Sequence, residues 1–155
     1  MFAVGWTQTS DYVGVDVSAN LFTPGSPGTV NYELVTALGS GTSFAADGIV
    51  RGTATTPTNP TDVILFQLSS LKAGTYYLVL DSPVGNTSWQ HNFPMQTNNT
   101  MDNGVSFLGD LWSTGTAINN TYTPASPFAG NVFPPSSLYR VQRHPRSRRP
   151  LRVLD

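Results

Sequence analysis

Between Tyr12 and Phe22, apolar residues alternate one for one with small or polar ones. Val13, Val15, Val17, Ala19 and Leu21 interleave with Gly14, Asp16, Ser18 and Asn20. A period of two cannot be wrapped into a helix, whose faces repeat every 3.6 residues, so this segment must be a strand with one dry face. One strand buries nothing alone, and the chain has to supply partners for it. Phe2–Gln8 reads as a shorter strand before it, with Thr9-Ser10-Asp11 as the turn. Pro24-Gly25-Ser26-Pro27-Gly28 breaks the chain after it, and alternation resumes from Thr29 to Leu38 through Val30, Tyr32, Leu34 and Thr36.

Helix formers are almost missing. There is one glutamate, Glu33, and one lysine, Lys72, while Thr, Val, Tyr and Phe suit a pleated, half-buried surface. No segment reads as a helix. Residues 39–62 read mostly as loop, with a short strand at Ile49-Val50-Arg51. The continuous run Val63-Ile64-Leu65-Phe66 fits a strand buried on both faces, and Gly74–Leu80 follows as another strand. Weak strands near Ser88–Phe93 and Val105–Leu111 lie within long, loop-rich sequence. The expected fold is therefore all-β: an antiparallel β-sandwich or jelly roll over residues 1–135, followed by a basic, disordered tail over 136–155.

Charge divides the chain in the same way. Up to Tyr139 eight carboxylates face only two cations, Arg51 and Lys72, whereas six of the eight basic residues lie between Arg140 and Arg152. An acidic body argues against nucleic acid as a partner. The chain has no cysteine, so disulfides and thiolate metal sites are excluded. At 155 residues one core can be built without such staples. No apolar run approaches the roughly 20 residues of a membrane-spanning helix. No leader peptide is visible, so export would require one trimmed away or a start assigned too late.

Leu71-Lys72-Ala73-Gly74-Thr75-Tyr76-Tyr77-Leu78 carries the most architectural information. Gly74 permits a tight corner, and a tyrosine just after it can turn its hydroxyl back to an upstream carbonyl, the tyrosine-corner device of many sandwiches. Tyr77 is the first choice for that role and Tyr76 the second. This segment, with Trp6-Thr7-Gln8-Thr9 and the alternating strand after it, resembles bacterial exported β-sandwich proteins that carry PEP-CTERM sorting signals. The likeness runs from Phe2 to Leu80. It implies export and retention at the cell envelope or in extracellular matrix, a structural or interaction role, and no enzymatic activity or cofactor. Envelope proteins or extracellular polysaccharide would be the partners.

The C-terminus departs from that group, which ends in a Pro-rich linker, a Pro-Glu-Pro signal, an apolar helix and a basic tip. Val141–Arg148 can be encoded so that a one-base shift reads Phe-Ser-Gly-Thr-Pro-Val-Pro followed by Glu or Asp, the entrance to such a signal. A frameshifted terminus is the reading adopted; a basic arm for anionic polymers is the alternative.

Chemistry-bearing residues are few. His91 and His144 are the only histidines, too few for a zinc site, and His91 would be the sole base available to a serine nucleophile. Asp81, Asp102 and Asp110 would have to furnish any glycosidase carboxylate pair, but they stand where turns ordinarily place aspartate. Asp102-Asn103-Gly104 with Asp110 has the oxygen ligands of a calcium loop without the EF-hand spacing, and no metal is assigned. Trp89 and Trp112 are the candidate ligand-binding residues, because aromatic faces in loops can stack on sugar rings; core anchoring is the alternative for both. Trp6 belongs to the core. A carbohydrate-binding module is the second functional reading, and a hydrolase a distant third.

Overall fold

The computed structural model describes residues 1–84, 88–89, 104–124 and 142–143. Its described elements are β1 (Phe2–Gln8), β2 (Tyr12–Phe22), β3 (Gly28–Val35), α1 (Phe44–Asp47), β4 (Gly48–Thr56), β5 (Thr61–Leu71), β6 (Gly74–Val84), β7 (Ser88–Trp89), β8 (Val105–Trp112), β9 (Thr123–Pro124) and β10 (Gln142–Arg143). The expected all-β fold is present, and the described strand pairs are all antiparallel. One sheet runs β4-β3-β6-β1-β8-β9; the other runs β10-β2-β5, with β7 also on β2. Within the segment 136–155, Gln142 and Arg143 pair with Asp16 and Val15; the rest of it lies outside the described residues.

Both sheets feed one core. Trp6, Leu34, Leu78 and Leu80 from the first meet Val15, Val17, Leu21 and Phe66 from the second. The rings of Tyr32 and Phe66 stand 5.5 Å apart, linking β3 to β5. The alternation of β2 explains its share: Val15, Val17, Ala19 and Leu21 are all essentially inaccessible. Val13 breaks the pattern, being 48% exposed while Tyr12 is buried. The phase changes across Gly14, whose φ of +64° is a left-handed conformation that costs glycine little.

Other expectations need correction. Val63–Phe66 is not buried on both faces, since Ile64 is 59% exposed. Consecutive burial of Leu65 and Phe66 comes instead from a bulge against Val17 and Ser18, which puts an extra residue into β5. The Thr-rich segment after Arg51 is strand, not loop: β4 continues to Thr56 because its β-branched residues find a full ladder on β3. A single helical turn, α1, also forms. Ser43 caps it by accepting the Ala46 amide at 3.2 Å, and the Asp47 carboxylate returns to the Ser43 amide at 2.9 Å.

The corner tyrosine is Tyr76, not Tyr77. Its hydroxyl donates to the Lys72 carbonyl at 2.7 Å, and its ring lies 5.7 Å from that of Trp6. Register decides this. Tyr76 pairs with Trp6 on the core side, whereas Tyr77 pairs with Gly5 on the opposite face. A side chain at Gly5 would meet the Tyr77 ring at 2.9 Å, so glycine there lets that ring lie flat on the strand. Tyr76→Phe should cost about 1 kcal/mol through the lost buried hydrogen bond. Tyr77→Phe should leave the urea midpoint where it is; equal midpoints for the two variants would contradict the assignment.

Candidate functional site

The most polar side chains around the motif hold a corner. Gln8, almost fully buried, accepts from the Trp6 indole at 3.2 Å and donates to the carbonyls of Leu71 at 3.1 Å and Lys72 at 2.7 Å. Asp11 accepts the Ala73 amide and the Lys72 ammonium, each at 2.8 Å. The Lys72 ammonium, and then the Ala73 amide, hold its carboxyl below the usual range. This ion pair is largely exposed, so it contributes little by charge and acts mainly by positioning the β5–β6 turn against the β1–β2 turn. The sequence pointed to this corner through Gly74 and the tyrosines; Gln8 and Asp11 carried no signal of their own.

Two surfaces remain open. The first is aromatic. Phe2 and Trp112 are directly paired across β1 and β8, and they are 52% and 42% exposed. Trp112 is thus not a core anchor, while Trp6 is completely buried. The backbone of Trp89 pairs with Leu21; its side chain lies outside the described residues, as do His91, His144, Asp102 and the carboxylate of Asp110. Of the two candidate ligand-binding residues, Trp112 is thus exposed beside Phe2, and the Trp89 side chain is outside the described residues.

The second surface lies on the outer face of the six-stranded sheet. Ala3, Val35, Val79 and Ile118 form a small core there, with Tyr77, Leu111 and Tyr122 packed around it. Two segments fold over this face and are tied together where the Gly39 amide donates to the Ile118 carbonyl at 2.9 Å. Beside the apolar patch, register puts Asn31 directly opposite Asp81, and Glu33 opposite Val79. These residues line a depression of about 80 Å³, and Glu33 and Thr116 also line an adjoining one of about 220 Å³ whose other walls include Phe44, Ala117 and Ile118. Among the described residues, the side chains of Asn31, Glu33 and Asp81 have no hydrogen-bond partner.

The electrostatics follow from burial. Desolvation raises the Glu33 pKa, opposed by the nearby Arg51 guanidinium, which itself lies 4.6 Å over the Phe44 ring. The Tyr122 hydroxyl is pushed up to about 12, first by burial and then by the charges of Glu33 and Asp81. No group of three or more His, Cys, Asp or Glu that could hold a metal occurs among the described residues. No helix there is long and apolar enough to cross a membrane. The sequence reading missed Asn31 and Glu33 because nothing local distinguishes them from the wet face of any strand; only strand pairing brings them to Asp81. Comparison of the chain with protein-family models, with curated proteins and with solved structures finds no match.

Proposed function

We propose that this chain is a non-catalytic, exported β-sandwich domain with a structural or interaction role at the cell envelope or in extracellular matrix. The observation that carries the reading is the side-by-side exposure of Phe2 and Trp112 on adjacent strands. Large aromatics normally go to the interior, and two neighbouring ones left in solvent suit contact with another surface. The resemblance of the Phe2–Leu80 region to PEP-CTERM-sorted proteins supports the envelope as the place where that contact is made.

The same pair favours the second reading, a carbohydrate-binding module, because planar aromatic faces also stack on sugar rings. Trp112 would be its central residue, with Trp89 as the other candidate. Trp112→Ala should leave the melting temperature close to that of the parent, since the side chain is far from fully buried. It should lose co-sedimentation with the particulate envelope fraction. Binding to purified insoluble polysaccharide, lost in the same variant, would select the module reading. Undiminished envelope retention in Trp112→Ala would remove the aromatic pair from the proposal.

A further inference from the structure

We infer that the side of the molecule formed by β4 and β5 is a self-association surface, on which a second copy of this chain pairs antiparallel and continues both sheets. The surface stands apart from the aromatic pair, which lies on β1 and β8, and does not depend on it.

The two sheets end differently on their two sides. Beyond β8 and β2, the described edges are the two-residue strands β9, β7 and β10. Edge strands that short offer few free backbone groups and protect against unwanted pairing. On the other side the first sheet ends in β4, nine residues long, and the second in β5, eleven residues long. Residues 57–60 join these strands directly and the strands touch, so both edges lie on one side of the shared core. Among the described residues, neither strand has a partner on its outer edge. Each presents a row of amides and carbonyls that another strand can take up.

The usual guards are nearly absent from these edges. Neither strand contains proline or lysine. The charged and amide side chains they carry turn back toward their own fold. Arg51 lies 4.6 Å over the Phe44 ring, Asp62 accepts from Asn20 at 2.8 Å, and Gln67 donates to Asp16 at 2.8 Å. The bulge in β5 is the one guard present, and beyond it Phe66–Leu71 run without a register break. The core is open on this side as well. Val50 and Ala54 of β4, with Val63 and Leu68 of β5, pack against the main core yet stay half-buried. Ile49 and Ile64 on the same two strands are exposed.

The occupant must therefore supply backbone pairing at two stacked edges and an apolar strip between them. A second copy supplies all of it. One two-fold axis normal to the sheets sets β4 antiparallel to its copy and β5 antiparallel to its copy, and brings the half-buried residues of both chains together. A nine-residue strand is about 30 Å long, and two stacked sheets with their side chains are about 20 Å deep. That strip is about 600 Å² per partner, or about 1,200 Å² in all, at the lower end of stable interfaces. A single extended peptide, the rival occupant, would pair with one edge and leave the other sheet and the apolar strip open. Because the far edges are two-residue strands, pairing about this axis closes at two copies.

The test is sedimentation velocity of the intact chain from micromolar to sub-millimolar concentration, paired with amide hydrogen exchange at both extremes. A reversible species of twice the chain mass is expected. On dilution, amides of β4 and β5 should lose protection while those of β1 and β6 keep theirs; this readout needs no variant. Thr53→Lys on β4 and Ser69→Lys on β5, both exposed positions, should each weaken association about tenfold or more, since a lysine on an edge strand opposes pairing. Their monomers should melt at the temperature of the parent monomer, and Thr53→Ser should associate as the parent does. Trp112→Ala should leave the association intact, which separates this surface from the aromatic pair. Four outcomes each overturn the inference: a single copy at every concentration, open-ended assembly, association unchanged by both lysines, or concentration-dependent protection centred on β1 and β8.

Discussion

Trp6→Ala is expected to be the most damaging single substitution in the described core, lowering stability by about 3–5 kcal/mol. The side chain is completely inaccessible and sits where both sheets contribute to the core, with the Tyr76 ring beside it. Domains of this kind have total stabilities of about 5–15 kcal/mol, so the variant would be partly or wholly unfolded at ambient temperature. Two energies add in that loss: the apolar area no longer buried, and the cavity that rigid strands cannot collapse to fill. Equilibrium urea denaturation followed by intrinsic fluorescence of the remaining tryptophans, and by far-UV circular dichroism, would measure it. A midpoint within experimental error of the parent would mean that the two sheets do not share this core.

Gln8→Ala should come second, and its cost arises from a different source. Little apolar area is lost, but the Trp6 indole N–H and the Leu71 and Lys72 carbonyls all lose a partner. Lys72 keeps the Tyr76 hydroxyl, whereas the indole and the Leu71 carbonyl have their side-chain bonds removed. Each buried polar group left unpaired costs about 1–3 kcal/mol. Gln8→Glu separates the contributions: it keeps an acceptor for the indole and removes the donor to the carbonyls. Because Trp6 and Gln8 share a hydrogen bond, the loss in Trp6→Phe/Gln8→Ala should be smaller than the sum of the single losses. Strict additivity in that cycle would show that the indole–amide bond contributes nothing to the fold.

Most of the strands were visible before the structure, and the reasons differ from strand to strand. β2 was legible to its ends because a one-to-one alternation is a local property that needs no knowledge of partners. β4 was not, because Thr53–Thr56 has the composition of a loop and becomes strand only where β3 offers hydrogen bonds along its length. The double burial of Leu65 and Phe66 looked like a two-sided strand, but a bulge produces the same run of apolar residues at a sheet edge. For β5 the residue types were right for strand, and the error lay in how many faces were dry; for β4 it lay in taking a strand for a loop.

The corner and the open surfaces show the same division. Trp6 could be assigned to the interior by its size and apolarity, since burying a large aromatic is favourable in almost any β fold. That a tyrosine would close the β5–β6 corner was written in Gly74-Thr75-Tyr76-Tyr77. Which tyrosine does so was not, because adjacent residues on a strand point to opposite faces and the register with β1, some 70 residues away, selects between them. Trp112 could be named from sequence as a residue able to bind, but its exposure and its neighbour Phe2 follow from the pairing of β1 with β8. Asn31, Glu33 and Asp81 carry no shared local pattern at all. The sequence by itself determined the strand class, the corner and the interior tryptophan, because these depend on residue size, polarity and period. The tertiary structure alone decided which polar groups converge, because convergence depends on strand register, and register is a property of the whole sheet.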